Sequence, residues 1–277
     1  KVTHKAAGIN DLILGRAELP MPENVTEKNM RQIRAASKLI RRKQRQYETQ
    51  NLQFAEMRED AGLKEYLDRT TFINKDGEVC EFTDLQKHDL NLVLQKRYAL
   101  LNWQQGSGKT AAVYHRAKYL LKFRKAKNVI ILAPAIATNM TWIPFLTINK
   151  ERFRTIQTAG DLNNIPEGTF LVVSTSMLRK LKRGLMRFVK RTSGKLCLVF
   201  DESDEITNPT SQRTRNILCI FRRLRYKILD TGTTTRNNIA ELYSQFELLY
   251  NNSVNMICWS PQVYHENRDH EIEEENN

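Results

Sequence analysis

Apolar residues recur every three or four positions in the early part of the chain. Between Glu23 and about Asp60 they are Val25, Met30, Ile33, Ala36, Ile40 and Tyr47. This period matches the turn of an α-helix and predicts one long, mostly polar helix. Downstream, two short apolar runs flank Asn74-Lys75-Asp76-Gly77. Because Asp-Gly accepts the positive φ angles of a tight turn, we predict a β-hairpin over Thr71–Ile73 and Glu78–Phe82.

From residue 98 onward, short apolar runs alternate with helical stretches. The runs are Tyr98–Leu101, Val129–Leu132, Phe170–Val173, Leu196–Phe200 and Tyr226–Leu229. The helical stretches lie near residues 109–124, 138–148, 175–190 and 211–223. Such alternation predicts an α/β fold, with a parallel sheet flanked by helices.

The two ends of the chain differ from this middle part. Residues 1–22 lack periodicity and contain Pro20 and Pro22, which predicts an arm or linker, and the acidic residues 261–277 predict a disordered tail. Between them we expect a helical extension with the hairpin over 23–84 and the α/β domain over 85–260. Since residue 1 is Lys rather than Met, we expect a processed chain or part of a longer one.

Composition narrows the class of protein. The 277 residues are 40% hydrophobic and 27% charged, as in ordinary soluble domains. The longest apolar stretch, Val129 to Ala137, is about half of what a bilayer span requires, so we exclude a membrane protein. The cysteines lack C-x-x-C spacing, so we expect reduced core residues in a cytoplasmic or nuclear compartment: Cys80, Cys197, Cys219 and Cys258.

Positive charge is concentrated in the middle of the chain. Residues 101–200 contain 18 Lys and Arg against 3 Asp and Glu, a net charge of +15, whereas residues 1–100 carry +3 and residues 201–277 carry −5. A concentrated positive field attracts a polyanion, and nucleic acid is the commonest one in a cell. The alternative is a basic surface that serves only solubility.

Residues 103–110 read Trp-Gln-Gln-Gly-Ser-Gly-Lys-Thr, between a predicted strand and a predicted helix. This is the context of a phosphate-binding loop, although Trp103 stands where the usual pattern has its first glycine. Lys109 offers a positive charge to the β and γ oxygens of ATP, and Thr110 offers a hydroxyl to Mg²⁺. We assign nucleotide binding to Gln105, Gly106, Ser107, Gly108, Lys109 and Thr110.

Two carboxylates follow the predicted strand Leu196–Phe200. Asp201 at such a strand end can hold the water shell of Mg²⁺, and the adjacent Glu202 can orient and deprotonate an attacking water. Acidic residues are also common in turns, but the phosphate-binding loop favours the functional interpretation. Lys109, Asp201 and Glu202 are therefore the candidate catalytic residues.

Several segments, in order over about residues 85–250, resemble Swi/Snf-type ATPases of helicase superfamily two. Asp201-Glu202-Ser203-Asp204-Glu205-Ile206-Thr207-Asn208-Pro209 resembles their DEAH-x-x-KN motif, and Leu229-Asp230-Thr231-Gly232-Thr233 with its continuation resembles LTGTP-x-QN-x-x-EEL. Three further segments are similar to family motifs: Leu85-Gln86-Lys87-His88-Asp89, Ala133-Pro134 with Trp142, and Val172-Val173-Ser174-Thr175-Ser176-Met177-Leu178-Arg179.

The resemblance implies the first RecA-like lobe of a translocase on double-stranded DNA, with ATP and Mg²⁺ as cofactors. Asp89 would contact adenine, and Thr231, Gly232 and Thr233 would couple nucleotide state to DNA contact. The implied DNA-binding residues are Thr138, Asn139, Ser174, Thr175, Ser176, Arg179, Lys180, Lys182 and Arg183.

The resemblance also implies a second RecA-like lobe that closes over ATP. No such lobe is recognised after Tyr250, so we expect it in a longer chain or in a separate one, and we expect slow hydrolysis by this chain alone.

Four positions depart from the family pattern. Asp89 replaces a glutamine, Asp204 replaces a histidine, and Thr234 and Arg236 replace proline and glutamine. Two other functions stay open: the motor of a restriction or repair helicase, and a structural or DNA-packaging-associated protein that keeps the lobe without turnover.

Overall fold

The computed structural model describes residues 26–27, 30–38, 40–41, 57–192, 195–232 and 242–250. The chain divides into a small unit, Lys1–Arg58 with Met256–Trp259, and a large unit formed by the rest. In the small unit, residues 30–38 are helical, as the periodicity predicts. The predicted helix does not continue to Asp60, because residues 57–60 are not helical. Asp60 instead begins a separate helix, since its carboxylate accepts a hydrogen bond from the Leu63 amide at 2.8 Å.

The large unit is built on a parallel sheet of six strands, in the order β3-β8-β7-β4-β6-β5. Its strands are β3 Tyr98–Asn102, β4 Asn128–Ala133, β5 Phe153–Thr155, β6 Phe170–Ser174, β7 Leu196–Phe200 and β8 Tyr226–Thr231. The α/β class and the five predicted strands are confirmed. The sequence did not indicate β5, a short edge strand without a buried residue. Before this sheet, β1 Thr71–Ile73 and β2 Val79–Glu81 form the predicted antiparallel hairpin.

Helices cover both faces of the sheet. They are α1 Ala61–Asp68, α2 Asp84–Gln95, α3 Lys109–Lys122, α4 Ala135–Ala137, α5 Ile143–Ile148, α6 Leu178–Arg191, α7 Gln212–Phe221 and α8 Tyr243–Tyr250. A π-helix, Thr138–Trp142, joins α4 to α5, and short 3₁₀ turns span Ala159–Leu162, Thr175–Met177 and Ser203–Ile206. Within the described residues, no helix is both long and apolar enough to cross a membrane.

The core has two halves, one on each face of the sheet. Along β4, Val129 and Ile131 pack on the same face as α3, whereas Ile130 and Leu132 pack on the opposite face with α6 and α7. This division follows from the two-residue period of a strand. Because both faces are covered, β4 and β7 contain only buried residues.

Within the large unit, the hairpin and α1 pack against the six-stranded sheet and its helices. The Asn149 side chain accepts a hydrogen bond from the Ile73 amide and donates one to the Ile73 carbonyl, both at 2.9 Å. Phe72 and Phe82 contact the buried ring of His115, and burial lowers the pKa of that imidazole to about 3. Residues 59–84 are thus anchored to the α/β unit, while the domain boundaries drawn from sequence stay predictions.

The described cysteines differ from the expectation that all are core residues. Cys197 lies buried in β7, but Cys80 is half-buried and Cys219 is exposed on α7. Cys80 belongs to the short hairpin, and Cys219 lies on the outer side of its helix, so neither has a second layer to cover it. Cys258 lies outside the described residues.

Candidate nucleotide site

The predicted phosphate-binding loop connects β3 to α3, and two of its glycines have a backbone that favours glycine. Gly106 and Gly108 both have φ of +83°. Gly108 is also the residue from which α3 begins, and a Cβ there would lie 3.2 Å from Nε2 of Gln86. The Gln86 side chain donates to the Ser107 carbonyl at 2.9 Å, so α2 braces the loop. The sequence assigned no role to Gln86.

The Lys109 ammonium group lies over this loop. Its Nζ donates to the carbonyl oxygens of Trp103 at 3.0 Å and of Gln104 at 3.2 Å. A phosphate oxygen is a stronger acceptor for a cation than a neutral carbonyl, because its negative charge adds to the hydrogen bond. Together with the amides at the N-terminus of α3, Lys109 gives this loop the chemistry to bind an anion. Thr110 is half-buried in the first turn of the same helix.

Asp201 lies next to this loop at the carboxyl end of the sheet, where β3, β8 and β7 end side by side. The indole Nε1 of Trp142 donates to Oδ2 of Asp201 at 2.7 Å, and both side chains are buried. Burial raises the pKa of Asp201, while hydrogen bonds with Trp142 and Asp230, and the charge of Lys109, oppose the rise. The sequence placed Trp142 only in a family motif, and its contact with Asp201 comes from the fold.

Glu202 has an unusual backbone for a residue with a side chain. Its φ and ψ are both 53°, in the left-handed region, between the end of β7 and the 3₁₀ turn Ser203–Ile206. Such strain costs on the order of 1–3 kcal/mol and is common at functional sites. Glu202 is half-buried.

The turn after β7 is connected to β8 and α8. Thr231 Oγ1 donates to Oδ1 of the buried Asp204 at 3.3 Å, and Ser203 Oγ donates to Oε1 of Gln245 at 3.0 Å. A Cβ at Gly232 would lie 3.5 Å from Lys109 Nζ, so the end of β8 also approaches the phosphate-binding loop. The structure thus brings two of the three predicted coupling residues to the nucleotide site. The third, Thr233, lies outside the described residues.

Asp89, the predicted adenine contact, is held by the loop itself. Trp103 Nε1 donates to Asp89 Oδ2 at 2.9 Å, and the Asp89 side chain is half-buried on α2. Trp103, which replaces the usual first glycine of the loop, therefore contacts Asp89, which replaces the usual glutamine. Neither substitution by itself revealed this contact, because it joins residues 14 positions apart.

Asp230 also belongs to this end of the sheet, although the sequence assigned it no role. It is 0% exposed at the penultimate position of β8. Among the described residues, no N–H or O–H group donates to either of its carboxylate oxygens, which lie beside the carboxyl group of Asp201. Burial and the neighbouring Asp201 raise the pKa of Asp230 well above its ordinary value.

The predicted DNA-contact residues divide into exposed and buried sets. Asn139, Ser176, Arg179, Lys180 and Arg183 are exposed, and Ser174 and Lys182 are partly exposed. Thr138 and Thr175 are buried, and the Thr138 hydroxyl donates to the Ala135 carbonyl at 2.7 Å. The side chains of these two threonines are therefore not presented to solvent.

The donors at the carboxyl end of the sheet fit Mg²⁺. Carboxylate and hydroxyl oxygens are the hard ligands that Mg²⁺ prefers. The two carboxylate oxygens of Asp230 receive no hydrogen bond from an N–H or O–H group of the described residues. In the described part of the chain, no three His, Cys, Asp or Glu side chains cluster so as to hold a metal by themselves. Mg²⁺ in nucleotide sites shares its coordination with phosphates and water, so few protein ligands are needed, and Asp201 and Thr110 are of the right chemical type.

Comparison with known proteins yields one family match and several relatives. The sequence matches the family described as "Type III restriction enzyme, res subunit" over residues 31–236. The "ATP-dependent helicase FUN30" of Saccharomyces cerevisiae is 27% identical over 175 residues, which are 59% of this chain and 15% of the yeast protein. The chain thus spans a small part of that relative.

Two solved structures of a Sulfolobus solfataricus SWI2/SNF2 ATPase core share the fold. The one in complex with dsDNA has a TM-score of 0.51 and 16% identity, and the core domain alone has a TM-score of 0.50 and 18% identity. Each match covers 68% of this chain and 38% of the archaeal one.

Proposed function

Because the chain belongs to the type III restriction enzyme res subunit family, we propose that it is the ATP-hydrolysing lobe of a motor on double-stranded DNA. The comparisons confirm the predicted resemblance to the first lobe of Swi/Snf-type ATPases. The chain is therefore a helicase-superfamily ATPase domain. The DNA substrate, the dependence of hydrolysis on DNA and translocation belong to the proposal.

One observation carries the proposal. Lys109, Asp201 and Glu202 come from segments far apart in sequence, yet they meet where β3, β8 and β7 end side by side. Phosphate-binding chemistry and acid-base chemistry thus share one end of a parallel sheet, where ligands of such folds bind. If Asp201 and Glu202 served only to form a turn, they would not need to lie beside Lys109.

We assign each of these residues a role. The loop amides and Lys109 bind the β and γ phosphates, while Thr110 and Asp201 hold Mg²⁺, which when bound neutralises charge on the transferred phosphoryl group. Trp142 fixes the orientation of the Asp201 carboxylate. Glu202 orients the attacking water and accepts its proton.

The basic face of α6 supports the choice of DNA as the partner. The helix buries Leu178, Leu181, Leu185 and Phe188 at helical spacing, which turns its cations outward: Arg179, Lys180, Lys182, Arg183, Arg187, Lys190 and Arg191. Within the described residues none of these seven forms an ion pair with an acidic side chain. A face of one charge sign is suited to phosphates and offers no element to read bases.

We further propose a second RecA-like lobe as the partner that completes the site. In phosphoryl-transfer enzymes an arginine supplied across the site accelerates the reaction by on the order of 10³–10⁵. The contact between Asp204 and Thr231 joins the turn after Glu202 to the end of β8. This contact is the route by which we expect nucleotide state to reach a neighbouring lobe.

Single-turnover hydrolysis with and without duplex DNA tests the proposal. We expect wild-type chain to cleave ATP slowly, to cleave it faster with DNA, and to cleave it faster still with a chain that supplies the second lobe. Glu202→Gln provides the matched control, since it should keep ATP binding. No cleavage above that control under any condition would favour the structural or DNA-packaging alternative.

A further inference from the structure

Asp230 occupies a central place in the proposed nucleotide site. It lies on β8, between β3 and β7, and pairs in register with Leu101 of β3. On the other side, Phe200 pairs with Leu229, so the next residues along the two parallel strands are Asp201 and Asp230. Because side chains alternate along strands, these two carboxylates lie on the same face of the sheet. That face is the one covered by α3 and Trp142.

No N–H or O–H donor among the described neighbours compensates for the burial of Asp230. The side chain is 0% exposed, and in the described part of the chain its carboxyl oxygens meet only the carboxyl group of Asp201, with no N–H or O–H donor from another residue. A buried polar group without a partner is costly, and a carboxylate is costlier than a neutral group. An apolar side chain of similar volume would fit this position at lower cost.

The charged groups around Asp230 are those of the proposed site. Asp201, Lys109 and Glu202 are the residues whose charges act on its carboxyl group. Two neighbouring carboxyl groups ionise together only when a cation lies near them, and otherwise one of them keeps a proton. Lys109 supplies one positive charge, but its ammonium group is committed to the carbonyls of Trp103 and Gln104. A divalent cation would satisfy both carboxylates at once.

We propose that Asp230 is a further metal-site residue, whose carboxylate binds the divalent cation or its water shell together with Asp201. The inference rests on the proposed ATPase function and extends it, since that function requires only Thr110 and Asp201 on the protein side. Asp230 thus destabilises the unliganded fold but increases its affinity for the cation. Hard oxygen donors of this kind accept Mn²⁺ as well as Mg²⁺, which supplies a spectroscopic probe.

Electron paramagnetic resonance of free Mn²⁺ measures this affinity directly, without any activity readout. We would titrate Mn²⁺ into wild type, Asp230→Asn, Asp230→Leu and Asp201→Asn, each with and without ADP. We expect both Asp230 variants to bind Mn²⁺ roughly 10- to 100-fold more weakly, which is the usual loss when an outer-shell partner of a metal site is removed. Glu205→Gln is the matched control, because that carboxylate lies in the turn Ser203–Ile206, close to Asp201 in sequence, but pairs with Arg213 at 3.3 Å.

Thermal unfolding of the same variants gives a second readout. Removal of an unpartnered buried carboxylate should raise the Tm of Asp230→Leu in the absence of metal, by on the order of 2–4 °C. A lower Tm for both Asp230 variants would show that Asp230 supports the fold, and would overturn the inference.

The outcomes separate this inference from the proposed function. Unchanged Mn²⁺ affinity in both Asp230 variants, with loss in Asp201→Asn, would refute the role of Asp230 and leave the ATPase site intact. Unchanged affinity in Asp201→Asn as well would remove the proposed metal site altogether.

Discussion

The carboxyl end of the sheet and the basic face of α6 both collect charged side chains, but they hold them in opposite ways. At the sheet, Asp201, Asp204 and Asp230 are buried, and the first two accept hydrogen bonds from named partners. On α6 the cations are mostly exposed and share one sign. Charges in a low-dielectric setting act through individual contacts, whereas exposed charges act through their summed field. Single substitutions should therefore matter at the sheet, and only combined ones on α6.

The strongest test of this difference is a single substitution at the carboxyl end of the sheet, where we expect the largest effect. Glu202→Gln should lower the rate of ATP cleavage by about 10²- to 10⁴-fold, the usual contribution of a positioned base, without loss of ATP affinity. Lys109→Ala should instead weaken ATP binding, because it removes the charge that faces the phosphates. Calorimetric titration and single-turnover assays distinguish the two. Equal ATP affinity for Lys109→Ala and wild type would contradict the assignment of the loop.

On α6, the comparison predicts a collective effect. Neutralising Arg179, Lys180, Lys182 and Arg183 together should make the dependence of log affinity for duplex DNA on log salt shallower, by up to ~0.9 per lost phosphate contact. Each single substitution should change it by no more than one such step. Fluorescence anisotropy at several salt concentrations provides the measurement. A slope that stays the same in the quadruple variant would identify this face as merely solvated.

Lys227 allows a buried cation to be compared with the exposed cations of α6, because it lies buried on β8. Its Nζ donates to the carbonyls of Arg222 and Leu248, and burial lowers the pKa of Lys227 to about 7. The unfolded chain then binds more protons between pH 7 and its ordinary pKa of 10.5, so stability should rise with pH across that window. Lys227→Met should remove this rise, whose slope approaches about 1.4 kcal/mol per pH unit. Urea unfolding at several pH values measures it, with Lys180→Met on α6 as the control for net charge.

The smallest expected effect concerns a single hydrogen bond. Trp142→Phe keeps most of the buried ring but leaves Asp201 without its indole donor, so it should destabilise the fold by about 1–3 kcal/mol. Trp103→Phe is the matched control, because it removes the same donor from the half-buried Asp89 and should cost less. Denaturant unfolding compares them. If both variants lost equal stability, burial would not be what makes the contact at Asp201 valuable.

Much of the fold could be predicted because its signals are local. The apolar runs of β4 and β7 are buried throughout, and a strand covered on both faces reads as a continuous hydrophobic run. The short edge strand β5 and the helix α1 gave no such signal. The first has no buried residue, and the second begins at Asp60, inside a stretch whose helical pattern suggested one continuous helix.

The residues of the candidate site also divide into those with a local sequence signal and those without one. Gly106, Gly108 and Lys109 could be named from the sequence, because a strand, a loop of fixed composition and a helix follow one another without interruption. Asp201 and Glu202 could be named because two carboxylates directly follow a continuous apolar run. Trp142, Gln86 and Asp230 could not, since each acts on a residue distant in sequence. Thr138 and Thr175 show the converse, because a motif position gave no indication that their side chains are buried.

Local sequence specifies the alternation of strands and helices, the glycine loop and the position of its charges, because each depends on neighbouring residues and on the fixed periods of helix and strand. The order in which the strands lie side by side depends instead on tertiary packing. That order, β3-β8-β7, places Asp230 between the phosphate-binding loop and Asp201, and it brings Thr231 to Asp204. Strand order and burial arise from packing between segments tens of residues apart, and no local pattern records them.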